Sequence, residues 1–189
     1  MTPDVAGLAA TAAVAELERR VIDAAVALGR ALRAGGWMVA TAESCTGGMV
    51  ARALTEIGGS SEWFERGFVT YSNAAKIDLL GVSAATLQAE GAVSEAVARE
   101  MAEGALDHSR SQLALAITGI AGPGGAVPGK PVGTVCFGWA AIERVPRTET
   151  MHFVGDRAAV RAQAALHALR RAGEWLSEPD FALALDPKS

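Results

Sequence analysis

Cysteine is scarce in this 189-residue sequence, which has only Cys45 and Cys136. Two cysteines cannot build a disulfide framework, and neither stands at metal-ligand spacing from His108, His152 or His167. We therefore expect no metal site. The scarcity also fits a reducing compartment, and we predict a cytoplasmic protein.

An excess of positive charge is also missing, because the net charge is −4. A dedicated nucleic-acid binder is usually basic, so no nucleic-acid partner is expected. The first fifteen residues are rich in alanine but carry Asp4 and no early Lys or Arg, unlike a signal peptide. No charge-free run is long and apolar enough to span a bilayer, so no membrane partner is expected either.

Several familiar catalytic signatures are absent. No Gly-x-Gly-x-x-Gly follows the first predicted strand, which argues against a nicotinamide cofactor, and we expect no cofactor. The stretch from Gly124 to Lys130 has phosphate-loop spacing, but Pro131 stands where Ser or Thr would bind magnesium. The histidines have no partner that the sequence identifies, so a Ser-His-Asp triad is not indicated.

Apolar runs alternate with helical patterns, which predicts an α/β single-domain layered sandwich with a mixed, mostly parallel sheet flanked by helices. Residues 1–13 are expected to be an N-terminal extension, 14–177 the domain and 178–189 a tail in which Phe181–Leu185 could dock. The predicted strands are 37–42, 67–72, 113–118, 132–142 and 148–154. The predicted helices start near Val14, Gly48, Ser72 or Asn73, Ser83, Ser94 and Asp156.

The segment from Thr41 to Gly48 predicts a strand, a small polar turn and a helix. This arrangement presents Ser44 at the turn, and we expect the N–H groups of Cys45, Thr46, Gly47 and Gly48 to be free for an anion or oxyanion. A purely structural alternative remains, in which Ser44 or Thr46 caps the helix.

Tyr71 closes the second predicted strand, and Lys76 follows five residues later. A lysine can act as a base if burial or a nearby positive charge lowers its pKa by about three units. Tyr71 could then relay the proton. The alternative is that Tyr71 is a half-buried strand aromatic and Lys76 a solvated charge.

A second polar region follows the buried strand that ends at Thr118. The loop Gly119–Gly125 is rich in glycine, so its N–H groups suit a phosphate or ribose contact. We assign Thr118, Gly119, Gly122 and Gly124 to substrate binding. Arg157 at the start of the last helix could add a charge-assisted contact.

Four ordered segments together resemble the C-terminal domain of the competence/damage-inducible CinA family. They are Thr41–Gly48, Gly67–Asn73 with Lys76, Gly119–Gly125 and Lys130–Thr134. Stand-alone members of that family are nicotinamide-nucleotide amidohydrolases, which convert nicotinamide mononucleotide and water to nicotinate mononucleotide and ammonia. The resemblance covers roughly residues 15–176. It implies that Ser44, Tyr71 and Lys76 match the family's serine, tyrosine and lysine.

Two alternatives stay open. Cys45 could be the nucleophile, with Glu43 and Lys76, as in nitrilase-type amidases. The chain could also be a non-catalytic nucleotide-binding or regulatory module. A homo-oligomer is expected, and Trp63, Phe64 and Phe68 are candidates either for a subunit contact or for the core.

Overall fold

The computed structural model describes residues 5–179 and residue 181. Its helices are α1 (Val5–Gly35), α2 (Met49–Thr55), α3 (Asn73–Leu80), α4 (Ala84–Glu90), α5 (Glu95–Asp107) and α6 (Arg157–Leu176), with a short 3₁₀ helix at Ser60–Glu62. Its strands are β1 (Val39–Glu43), β2 (Phe64–Val69), β3 (Leu113–Gly119), β4 (Thr134–Ala141) and β5 (Arg147–His152). None of the described helices is long and apolar enough to cross a bilayer.

The five strands form one mixed sheet in the order β2-β1-β3-β4-β5. β1 pairs in parallel with both β2 and β3, whereas β4 runs antiparallel to β3 and β5. This sheet confirms the predicted α/β fold with helices on both faces. The carboxyl ends of β1, β2, β3 and β5 therefore meet at one edge, where ligand sites in open α/β sheets usually lie.

Each face of the sheet carries its own apolar core. The first core lies under α1, α2 and α6 and includes Val39, Val50 and Val160. The second lies under α5 and includes Ala40, Ala42 and Met101. Because side chains alternate along a strand, Val39 and Ala40 enter opposite cores, and the same alternation directs the residues that follow.

Local capping signals placed four helices correctly. The side chains of Ser72, Ser83, Ser94 and Asp156 each accept a backbone N–H three residues on, at the starts of α3, α4, α5 and α6. These bonds are local, so the sequence alone reveals them.

Two elements differ most from their predicted bounds. The first helix starts at Val5 instead of Val14, since the alanine-rich segment before Val14 has high helix propensity. The second strand lies at 64–69 instead of 67–72, because its pairing with β1 starts at Phe64 opposite Val39.

The three apolar candidates for a subunit contact, Trp63, Phe64 and Phe68, pack against the cores of the protein. Trp63 is buried in the first core. Its ring packs so closely against Gly29 that a Cβ at that position would lie 2.7 Å from it. Phe64 packs against the first core and Phe68 against the second. These three residues therefore give no support to an oligomer, which stays a prediction.

Phe181 docks as expected, because its ring packs edge-on against Trp37 and Trp175, with centroids 5.2 and 5.1 Å away. The remainder of the predicted docking segment, 182–185, lies outside the described residues.

Candidate active site

Ser44 and Lys76 meet at the carboxyl end of β1. Lys76 Nζ lies 3.0 Å from Ser44 Oγ and donates a 2.7 Å hydrogen bond to the carbonyl oxygen of Thr70. Ser44 is the first residue after β1, and its own N–H donates to the Ile117 carbonyl of β3. The nucleophile candidate is thus fixed by the sheet, and its partner comes from α3.

Lys76 is directed inward by the position of α3. Ser72 caps the start of this helix, and Gly81 ends it in a left-handed conformation. Only 1 % of Lys76 is exposed, so its amine lies on the protein side of the helix. The alternative of a solvated helix charge is therefore wrong.

Burial lowers the pKa of Lys76, because removing the amine from water disfavours its protonated form. No carboxylate forms an ion pair with this amine in the described part of the chain. A buried amine without a counter-ion tends to lose its proton, which is the state that a general base needs.

Glu43 occupies part of the donor set that we expected to be free. Its buried carboxylate accepts hydrogen bonds from the N–H groups of Gly48, Val50 and Ala51, at 3.0, 3.1 and 2.8 Å. The N–H of Gly47 donates to the Ser44 carbonyl. The prediction of free N–H groups is therefore wrong for Gly47 and Gly48.

The N–H groups of Cys45 and Thr46 are free of oxygen acceptors among the described residues, as predicted. Within residues 5–179 and 181, neither donates to a carbonyl or carboxylate oxygen. They follow Ser44 directly in the chain, so they are the donors available for an oxyanion beside its hydroxyl.

The Cys45 thiol belongs to the first core instead of the site. Burial raises its pKa to about 12, so at neutral pH it stays a neutral, weakly nucleophilic thiol. The Glu43 carboxylate that the cysteine alternative requires is already occupied by three backbone donors.

Tyr71 contacts Arg157 and forms no hydrogen bond with Ser44 or Lys76 among the described residues. The Nη2 of Arg157 donates to the Tyr71 hydroxyl at 3.1 Å, and Nη1 donates to the Gly122 carbonyl at 2.9 Å. Tyr71 is 63 % exposed, so it is not the half-buried aromatic of the structural alternative. Arg157 thus joins the segment that follows β2, the glycine-rich loop and α6.

The glycine-rich loop leads from β3 to β4 on the same edge of the sheet. Gly122 has a φ of +82°, and a Cβ there would lie 2.6 Å from Val132, so only glycine fits. The N–H groups of Gly122 and Gly124 have no acceptor in the part of the chain that the structure describes. Gly119 is the last residue of β3 and leads into this loop.

Thr118 has a structural partner, since its hydroxyl donates to the Ala92 carbonyl at 2.8 Å. This bond holds the loop between α4 and α5 against the end of β3. Because this bond uses its hydrogen, the Thr118 hydroxyl has none free to donate to the substrate that the sequence predicted it to contact.

Sequence reasoning missed Arg161 and two buried hydroxyls, one on a residue that contacts Arg161 and one on a residue that contacts the dyad formed by Ser44 and Lys76. Arg161 donates to the carbonyls of Cys45 and Thr46, and its position one helical turn after Arg157 was the only available signal. The buried hydroxyls of Thr46 and Thr70 have no hydrogen-bond partner among the described residues.

The family sequence model of the CinA C-terminal domain matches residues 22–176 of this chain. The chain belongs to the CinA C-terminal domain family. This membership confirms the resemblance drawn from the four ordered motifs.

Curated CinA-domain relatives include two proteins named nicotinamide-nucleotide amidohydrolase PncC. The one from Enterobacter agglomerans is 54 % identical over 155 residues, which are 82 % of this chain and 94 % of the relative. The one from Escherichia coli K12 is 55 % identical over 143 residues, or 76 % of this chain and 87 % of the relative.

A solved CinA-superfamily structure from Klebsiella pneumoniae has the same fold. It superposes with a TM-score of 0.80 at 42 % identity, covering 83 % of this chain and 98 % of that one.

Proposed function

We propose that this chain is an amidohydrolase that converts nicotinamide mononucleotide and water to nicotinate mononucleotide and ammonia. The observation that carries the proposal is the buried contact of 3.0 Å between Lys76 Nζ and Ser44 Oγ. A hydroxyl beside a partly desolvated amine is a standard arrangement for covalent attack on a carbonyl carbon. The names of the PncC relatives supply the amide and the nucleotide.

In the first half of the reaction, Ser44 Oγ attacks the carboxamide carbon while Lys76 accepts the hydroxyl proton. The resulting tetrahedral intermediate carries its negative charge on the former carbonyl oxygen. Lys76 then returns the proton to the amide nitrogen, the C–N bond breaks, and ammonia leaves an acyl-enzyme. In the second half, Lys76 takes a proton from water and the hydroxide attacks the ester. Lys76 returns that proton to Ser44 Oγ as the carboxylic acid departs, and the acid then ionises in solvent, where ammonia takes up the proton.

The oxyanion is stabilised by the N–H groups of Cys45 and Thr46. Donors that are fixed before the reaction stabilise developing charge without reorganisation, and loss of one typically costs about 10²–10³-fold in rate. The three bonds from the backbone of Gly48 and α2 to Glu43 support this role, because they hold the turn between Glu43 and α2 in place.

The nucleotide end of the substrate is bound by Arg157 and the glycine-rich loop. Arg157 is a fixed cation at the site edge, and free N–H groups at Gly122 and Gly124 are suited to phosphate oxygens. Tyr71 orients the Arg157 guanidinium through its hydroxyl. In this proposal Tyr71 acts on substrate binding instead of relaying the proton.

The decisive experiment measures ammonia and nicotinate mononucleotide formed from nicotinamide mononucleotide by the wild-type chain and by Ser44→Ala. We expect wild-type turnover and no detectable turnover in the variant. Ser61→Ala is the matched control, because this exposed serine lies in the 3₁₀ helix before β2, at the edge of the sheet opposite to Ser44. A wild-type chain that binds the nucleotide without releasing ammonia would support the non-catalytic alternative, and an active Ser44→Ala would rule out the serine mechanism.

A further inference from the structure

Arg161 on α6 makes two hydrogen bonds to the turn that follows Ser44. Its Nε donates to the Cys45 carbonyl at 3.1 Å and its Nη2 to the Thr46 carbonyl at 2.7 Å. The residues are more than 110 positions apart in the chain, so this contact exists only in the folded protein. Two consecutive carbonyls held by one planar guanidinium leave the turn little rotational freedom.

The bond to Cys45 also fixes the direction of a donor. The peptide between Cys45 and Thr46 is trans and planar, so its C=O and its N–H point in opposite directions. Because the carbonyl faces Arg161, the Thr46 N–H points away from α6.

The Ser44 hydroxyl lies on the side opposite to α6. Helix α6 packs on the first core through residues such as Val160, and the Cys45 side chain lies in the same core. Ala42 faces the second core, and side-chain alternation places Ser44 on that same face, where Lys76 of α3 meets it. The Thr46 N–H therefore points toward the face that carries Ser44 and Lys76.

We infer that Arg161 is a positioning residue that holds the Thr46 N–H in place as an oxyanion donor. The inference rests on the proposed serine mechanism and adds a residue to it. Without the guanidinium, the carbonyl of the peptide between Cys45 and Thr46 loses the donor that sets the orientation of that peptide. A rotated peptide presents a carbonyl oxygen to the oxyanion instead of an N–H, and repulsion replaces stabilisation.

This role predicts a particular kinetic signature. Oxyanion donors act on the transition state more than on the bound amide, so their loss lowers kcat and leaves KM nearly unchanged. In Arg161→Met we expect kcat to fall about 10²–10³-fold, the cost of one misplaced donor, with KM within about threefold of wild type. Arg161→Lys keeps a cation that can reach a carbonyl and should recover part of kcat.

The test compares kcat and KM for ammonia release from nicotinamide mononucleotide in wild type, Arg161→Met, Arg161→Lys and Arg170→Met. Arg170 lies exposed on the same helix and serves as the matched control, with wild-type kinetics expected. Urea unfolding of each variant identifies any that fail to fold. If Arg161→Met does not fold, the kcat and KM of Arg161→Lys alone test the inference.

Wild-type kcat in either folded Arg161 variant overturns the inference, and so does a rise in KM with kcat unchanged. Ser44→Ala, assayed in parallel, distinguishes failure of the serine mechanism from failure of the role given to Arg161. If Ser44→Ala releases ammonia, the serine mechanism is wrong, and the inference that rests on it is wrong as well. If Ser44→Ala is inactive while Arg161→Met has wild-type kcat, the inference alone is wrong.

Discussion

Lys76 places its amine 3.0 Å from the Ser44 hydroxyl oxygen, although 32 positions separate the two residues. The amine is buried and its other hydrogen bond goes to a neutral acceptor, the Thr70 carbonyl. The unprotonated form of such a lysine is accessible at lower pH than that of a surface lysine, and this form is the one that acts as a base.

This environment predicts a rate that rises with pH. Only the neutral amine accepts the Ser44 proton, and burial lowers the Lys76 pKa below its ordinary value of 10.5. We expect kcat/KM for ammonia release to increase with pH and to level off with a midpoint below 10.5. Lys76→Arg, whose guanidinium stays protonated, should be inactive throughout. A rate that keeps rising through pH 10.5 without levelling off would contradict the assignment of the buried Lys76 amine as the base.

The same pKa shift links stability to pH. Between the lowered folded-state pKa of Lys76 and about 10.5, the unfolded chain binds a proton that the folded chain does not, so unfolding becomes harder as pH rises. Lys76→Met lacks this titration. In urea titrations, the stability of Lys76→Met relative to wild type should be highest near pH 7 and should decline as pH approaches 10. A pH-independent difference between the two proteins would show that the amine titrates normally.

The sequence predicted the parts of the site that depend on local pattern. Ser44 follows a buried strand, and Ser72 caps the helix that carries Lys76, so strand and helix signals alone placed both residues near one edge. Their contact follows from parallel strands whose carboxyl ends meet at that edge.

The sequence could not predict contacts made by side chains that reach across the fold. Arg157 and Tyr71 are 86 positions apart, and no local spacing indicates that they form a hydrogen bond. Glu43 lies next to Ser44, but only the alternation of β1 turns its carboxylate toward α2. That single side chain accounts for the Gly48 N–H that we expected to be free.

Replacing the Glu43 carboxylate should therefore damage both stability and activity. Glu43→Gln keeps the shape but turns an N–H₂ group toward backbone donors, leaving at least one of them unpaired. We expect a loss of about 1–3 kcal/mol in the free energy of unfolding, the usual cost of an unpaired buried polar group, and a lower kcat. Glu56→Gln, on the exposed end of α2, is the control for urea unfolding and ammonia release. Wild-type stability of Glu43→Gln would contradict the structural role given to its three hydrogen bonds.

The burial of Cys45 predicts resistance to alkylation. With a pKa of about 12, its thiolate is a minute fraction of the thiol at pH 8, and the core shields it from reagent. Iodoacetamide should leave the folded chain unmodified and active over an hour, whereas the same treatment in urea should alkylate both cysteines. Mass spectrometry alongside the ammonia assay measures both effects. Rapid alkylation of folded Cys45 with parallel loss of activity would instead favour the cysteine nucleophile.

Arg157 is expected to act on substrate binding more than on chemistry. Its guanidinium contacts Tyr71 and Gly122 and neither member of the dyad. A charge-assisted hydrogen bond contributes about 1.5–3 kcal/mol, so Arg157→Ala should raise KM for nicotinamide mononucleotide about tenfold or more with a smaller change in kcat. Tyr71→Phe, which keeps the ring and removes the acceptor for Arg157, should raise KM by less.

A second substrate isolates the phosphate contribution. Nicotinamide riboside has the same carboxamide and ribose but lacks the phosphate, so the wild-type chain should prefer the mononucleotide. If Arg157 binds that phosphate, Arg157→Ala reduces kcat/KM for the mononucleotide much more than for the riboside, and the preference shrinks by the same factor. Equal losses for both substrates would mean that Arg157 only braces Tyr71 and the glycine-rich loop. The phosphate would then be bound elsewhere, and the free N–H groups of Gly122 and Gly124 would be the next groups to test.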